Sequence, residues 1–112
     1  MIESYSFGSI VVDGKQYTAD LKIIAGQVVP DWRRMDGHGI CEADVADVIA
    51  AKSDVFILGT GAYGILKVPK AFKTLLESHG IELIAQPTDK AVKAYNELSA
   101  EKNVAAGFHL TC

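Results

Sequence analysis

Three apolar runs in the second half of the chain, at residues 55–58, 81–85 and 104–110, are separated by intervals that each hold one helix. Uninterrupted apolar runs of this length suit strands covered on both faces. Strands alternating with helices must return through crossovers and pair in parallel. Pro69 opens the first of these helices, with Phe72, Leu75 and Leu76 as its inward stripe and Gly80 after His79 as its stop. Thr88 behind Pro87 reads as the N-cap of the second, where Val92, Tyr95 and Leu98 recur on one side and Lys90, Lys93 and Glu97 on the other.

The N-terminal half is patterned differently. Residues 5–12 are β-rich, Asp13-Gly14 supplies the pair favoured in a type I′ turn, and residues 16–24 return, which predicts a hairpin. In the returning strand Tyr17, Ala19, Leu21 and Ile23 read as the core face, and Gln16, Thr18, Asp20 and Lys22 as the face toward water. Val28-Val29 adds a short strand, residues 31–40 form an irregular connection, and a helix follows from Glu42, with Val45, Val48 and Ile49 at helical spacing. The expected fold is α/β with a mixed central sheet and an N-terminal β-hairpin.

With 112 residues the chain has length for one domain, expected to span 1–112. Eleven basic against 14 acidic residues, net charge −3, leave no electrostatic footprint for nucleic acid or anionic membranes. No apolar run approaches the ~20 residues needed to cross a bilayer. The N-terminus reads as neither a signal peptide nor a presequence. These features predict a cytoplasmic protein with both cysteines, Cys41 and Cys112, reduced and free.

Gly59-Thr60-Gly61-Ala62-Tyr63-Gly64 is a G-x-G-x-x-G directly after a buried strand, where a dinucleotide fold places its pyrophosphate turn. Residues 65–68 delay the helix until Pro69, so its N-terminal amides do not face that turn, and no dinucleotide cofactor is expected. Two readings remain: a tight turn needing positive φ at glycine, or loop amides holding a small anion or polar metabolite. His38-Gly39-Ile40-Cys41 and His109-Leu110-Thr111-Cys112 together offer four zinc-type donors, but neither has finger or ribbon spacing, and no metal is expected. His109 reads instead as a strand residue opposite in direction to Phe108 and Leu110, hydrogen-bonded near the sheet edge. Trp32, Arg33 and Arg34 are of the types that anchor protein interfaces, though a tryptophan in a connection can equally plug the core. No catalytic constellation emerges.

Several segments, in order, carry a resemblance: Asp31-Trp32-Arg33 and then His38, Gly59-Thr60-Gly61, Leu66-Lys67-Val68-Pro69, His79-Gly80-Ile81, the Ala91-Val92-Lys93-Ala94-Tyr95-Asn96 helix, and Phe108-His109-Leu110-Thr111-Cys112. The chain resembles the adipogenesis-associated Mth domain family, which includes the mitochondrial NADH-dehydrogenase assembly factor three. The resemblance implies a three-layer α/β/α fold, no established enzymatic activity or cofactor, and action through protein partners among the eukaryotic members. It marks Gly59, Gly61, Tyr95, Asn96, His109 and Cys112 as the best candidates for a shared site, whereas Cys41 does not match the family pattern. The candidates carried forward are Gly59, Thr60, Gly61, Tyr63, Asn96, His109 and Cys112 for a ligand, and Trp32, Arg33 and Arg34 for a partner. A non-enzymatic protein-binding or assembly role is the leading expectation, and the alternative is a small-molecule or anion-binding protein, with or without enzymatic activity, using residues 59–64.

Overall fold

A computed structural model describes residues 1–36 and 39–112. Its strands fall into two sheets. Strands β1 (Ile2–Ser6), β2 (Ser9–Val12) and β3 (Lys15–Tyr17) form an antiparallel meander. Strands β4 (Leu21–Ile24), β5 (Gln27–Val29), β6 (Val55–Thr60), β7 (Glu82–Gln86) and β8 (Val104–His109) form a mixed sheet in the order β5-β4-β8-β6-β7. β6 runs parallel to both β7 and β8, and β4 antiparallel to β5 and β8.

Alternation along the central strands explains the layering. Val55 and Ile57 of β6 and Val104, Ala106 and Phe108 of β8 join one core with helix α3 (Thr88–Leu98) and with Ile2, Ile10 and Val12 of the smaller sheet. Phe56, Leu58 and Ala105 face the other way, into a core shared with helices α1 (Ala46–Ala50) and α2 (Lys70–Ser78). A 3-10 turn, Glu42–Val45, leads into α1, so the helix expected from Glu42 starts in this tighter form. Both faces of β6 and β8 are buried along their whole length, as their unbroken apolar character predicted.

The N-terminal hairpin differs from its expected form. The Asp13-Gly14 turn is present, with φ of 50° and 82° matching the mirror-image turn. The strand expected over 16–24 is two strands in two sheets, with the break at residues 18–20. Two further tight turns, at Phe7-Gly8 and Ala25-Gly26, complete the meander and the β4–β5 pair. Ala19, expected in the core, is exposed. Lys22, expected in water, is 7 % exposed, because Asp47 reaches its ammonium with both carboxylate oxygens at 2.7 Å.

Two other local expectations are corrected. Thr88 does not cap α3: Pro87 holds the N-cap position, and the Thr88 hydroxyl is drawn to His109 and Gly61. His109 does lie opposite Phe108 and Leu110 and is hydrogen-bonded, but its strand is the centre of the five-stranded sheet and not near an edge.

Candidate functional site

Parallel strands place their carboxyl ends together, and here the ends of β6 and β8 meet the first turn of α3. Gly59 is a glycine because α3 comes close: a Cβ would lie 2.8 Å from Thr88 Oγ1 and 3.0 Å from Phe108 Cδ1. The fully buried Thr88 hydroxyl donates to the His109 carbonyl at 2.6 Å and accepts from the Gly61 amide at 2.9 Å. Gly61 takes φ +102°, and a Cβ there would meet the Thr111 carbonyl at 2.7 Å. Its own carbonyl accepts from the Thr88 amide at 3.0 Å.

Three further amides of the glycine loop and its exit are similarly engaged. Ala62 donates to the Thr111 carbonyl at 2.8 Å and Gly64 to the Gly61 carbonyl at 3.2 Å, while Leu66 closes the loop onto the Thr60 carbonyl at 3.1 Å. An anion cradled by these N–H groups would have to displace protein acceptors, each needed to satisfy a donor away from bulk water. What the glycines accomplish here is a clasp joining β6, α3 and the segment after β8.

His109 is held from the other side. Its Nδ1 lies 2.7 Å from Asp20 Oδ2, and Arg34 Nη1 donates to that same oxygen at 3.0 Å. Asp20 Oδ1 accepts the Leu110 amide at 2.8 Å. Nδ1 also lies 3.2 Å from Arg34 Nη2, and the opposite edge of the ring, at Cδ2, abuts Gly61. Side-chain exposures of 4 % for Arg34, 11 % for His109 and 17 % for Asp20 make this an ionic and hydrogen-bonded network largely shut from water.

Trp32 forms its floor. The indole lies against Gly107, where a Cβ would come within 2.6 Å of the ring, and its Nε1 donates to the Asp44 carbonyl at 3.0 Å. The Arg34 guanidinium stacks over the indole at 4.9 Å, with Lys22 Nζ at 5.8 Å. Asp44 fixes the connection from below, accepting the amides of Met35 at 3.0 Å and Cys41 at 2.9 Å through its two oxygens.

The candidates therefore divide. Gly59, Thr60, Gly61, His109 and the Thr111-Cys112 backbone come together at one end of the sheet, and Arg34 joins them through His109. Asn96 stands apart, exchanging hydrogen bonds with the amide and carbonyl of Ile2 at 2.9 and 2.8 Å. Trp32 is 6 % exposed and takes the core-plug role, Arg34 is buried beside it, and only Arg33 of that trio is exposed. Tyr63 points outward, 73 % exposed, its ring 6.2 Å from that of Phe7.

Among the described residues no three of His, Cys, Asp and Glu are grouped to hold a metal, and no helix is long and apolar enough to cross a membrane. His38, half of the first His-x-x-Cys pair, lies outside the described residues. Cys41 and Cys112 are free and exposed.

Asp20, Lys22, Asp47 and Thr88 were not singled out by the sequence as site-forming residues. Gly107 carried a usable signal, since a glycine inside an apolar strand often marks a close approach by another group. Asp20 carried none, because its partners lie 14 and 89 residues away.

Comparison with known proteins agrees with this architecture. Over the full chain it superposes on a conserved hypothetical protein, PH1505, from Pyrococcus horikoshii OT3, with TM-score 0.87 and 31% identity, covering 99% of that protein. The protein MT938 gives TM-score 0.85 and 29% identity over 100% of this chain and 98% of its own. A Mth938-like domain from Bordetella pertussis shares the fold at TM-score 0.71 and 18% identity, over 97% of this chain and 84% of its own. Residues 2–109 match the family described as proteins of unknown function DUF498/DUF598, and the chain belongs to that family of Mth938-like α/β domains.

Proposed function

We propose that the chain is a small cytoplasmic, non-enzymatic protein-binding or assembly domain that docks its partner through the end of the molecule bearing Phe7, Tyr63 and Ile65. One observation carries this reading. Phe7 and Tyr63 stand 57 % and 73 % exposed with their rings 6.2 Å apart, and Ile65, two residues further on, is 48 % exposed. Large apolar side chains gathered in water are unfavourable in a free monomer and are typical of surfaces that become covered.

Two features support the choice of a partner over a small ligand. The Gly61, Ala62 and Gly64 amides already donate to protein acceptors, and Nδ1 of His109 is enclosed between Asp20 and Arg34. The clasp therefore acts as a rigid mount for Tyr63, giving the aromatic pair a fixed position. An aromatic anchor presented on a preorganised loop loses little entropy on binding. The family resemblance, with eukaryotic members that act through protein partners, points the same way.

The test places a photo-crosslinking phenylalanine at Tyr63 in the host cell, with a control at exposed Lys93 on α3. A discrete protein adduct from position 63, absent from position 93 and abolished by Phe7→Ser, is the expected outcome. No adduct, or the same adduct from both positions, overturns it. Movement of the Gly61 and Ala62 amide resonances on adding inorganic phosphate or a nucleotide would favour the ligand alternative.

A further inference from the structure

The two sheets have four edges, at β1, β3, β5 and β7, and three are protected. Along β1, the Asn96 side chain takes the place of a neighbouring strand, receiving the Ile2 amide and donating to the Ile2 carbonyl. Strands β3 and β5 are three residues each, the first beginning at Lys15 and the second followed by Pro30. Short length, lysine and proline are the usual devices against edge pairing.

Edge β7 is also followed by a proline, Pro87, but it is longer than β3 and β5 and carries no lysine. It is five residues, Glu82-Leu83-Ile84-Ala85-Gln86, with a single charge at one end. Its direction of hydrogen bonding is fixed by the Glu82 amide, which donates to the Asp54 carbonyl on the β6 side at 3.0 Å. In a parallel ladder the N–H and C=O of one residue point to the same side and alternate along the strand. Glu82, Ile84 and Gln86 therefore face β6, and Leu83 and Ala85 turn both backbone groups outward, where no partner among the described residues meets them.

We propose that β7 pairs with β7 of a second copy of this chain, antiparallel about a two-fold axis at Ile84, to make one continuous ten-stranded sheet. The register follows from the outward groups. Leu83 of each copy pairs with Ala85 of the other through two backbone hydrogen bonds, four in all. Ile84 meets its own counterpart as the close non-hydrogen-bonded pair, and Glu82 stands opposite Gln86, so no like charges are opposed.

The flanking helix fits the same symmetry. A groove of about 350 Å³ beside the strand is lined by Val68, Pro69, Lys70, Lys73, Leu83 and Ala85. Lys70, Lys73 and Glu77 share one stripe of α2 at helical spacing. A two-fold axis normal to the sheet keeps this face on one side and sets the two α2 helices antiparallel. The basic start of one stripe then approaches the acidic end of the other, whereas a parallel neighbour would oppose like charges. The edge is thus complementary to itself in hydrogen bonding, packing and charge, which is the requirement for an isologous interface.

The test combines sedimentation with two variants. The wild-type chain is expected to sediment as a dimer and to show slow amide exchange at Leu83 and Ala85. Ala85→Pro removes an outward N–H without touching the β6 ladder, so a folded monomer is expected. In a Cys41→Ser, Cys112→Ser background, Ile84→Cys is expected to form an intermolecular disulfide on oxidation with the circular dichroism of the fold retained. A wild-type monomer at every concentration, a dimer that survives Ala85→Pro, or a dimer with fast exchange at Leu83 and Ala85 and no Ile84→Cys crosslink would each overturn the proposal. None of these results depends on the aromatic pair at Phe7 and Tyr63, so they leave that docking reading untouched.

Discussion

Replacing Asp20 by alanine removes three contacts at once: Arg34 Nη1 at 3.0 Å, His109 Nδ1 at 2.7 Å and the Leu110 amide at 2.8 Å. The Arg34 side chain is 4 % exposed, so its guanidinium would lose its carboxylate where little water can substitute. Removing one member of a buried ion pair costs about 3–5 kcal/mol, and the 17 % exposure of Asp20 places this pair toward the lower figure. A loss of about 3 kcal/mol corresponds to a fall in Tm of roughly 12 °C, at about 4 °C per kcal/mol for a domain of this length. Trp32, the single tryptophan, is stacked under Arg34 and reports the transition by fluorescence during urea unfolding. With an m-value of about 1.5 kcal/mol/M the midpoint is expected to fall by ~2 M. Asp20→Asn keeps an acceptor for Leu110 while losing the charge, and is expected to recover about 1 kcal/mol. A loss below about 1 kcal/mol for Asp20→Ala would refute the reasoning, since it would mean that Arg34 and His109 find equivalent partners without Asp20.

Two further outcomes follow from the same core. Gly107→Ala drives a methyl to within 2.6 and 2.8 Å of the Trp32 ring and 3.1 Å of Phe56, and is expected to cost about 1–3 kcal/mol in urea titration. In a Trp32→Leu background that cost should drop below about 1 kcal/mol, and an equal cost in both backgrounds would dissociate the glycine from the indole. Alkaline stability is set in part by Tyr95 and Tyr5, whose hydroxyls are held above the ordinary value of 10.0, first by burial and then by the charges of Asp13 and Asp89 respectively. The unfolded chain gives up these protons first, so stability should be flat approaching pH 10 and decline as pH rises above it, with a shallower decline in Tyr95→Phe.

The central strands were legible because burial on both faces leaves a continuous apolar run, which a local window can detect. The Asp13-Gly14 turn was legible because its backbone geometry demands those residue types. The break at residues 18–20 was not, since Asp20 and Lys22 keep the alternation of a strand and only Arg34, His109 and Asp47, all remote in sequence, reveal that their side chains are enclosed. Thr88 misled for a related reason: a threonine after proline resembles a cap, and only the approach of β6 and β8 turns its hydroxyl elsewhere. The resemblance picked out Asn96, but its role required the position of β1, 94 residues away. Of the site itself, the glycines and His109 could be named in advance, and the residues that hold them could not.

Strand β8 is the last of the eight in chain order, yet it occupies the middle of the larger sheet, between β4 and β6. During synthesis the β4–β5 pair and the β6–α2–β7 unit each emerge with a raw inner edge and nothing to join them. The finished molecule is therefore closed like an arch by its keystone: until residues 104–109 leave the ribosome, the two halves have no common ladder, and both cores stand open on one side. The time between translation of β4 and translation of β8 is the interval in which this chain depends most on its cellular surroundings.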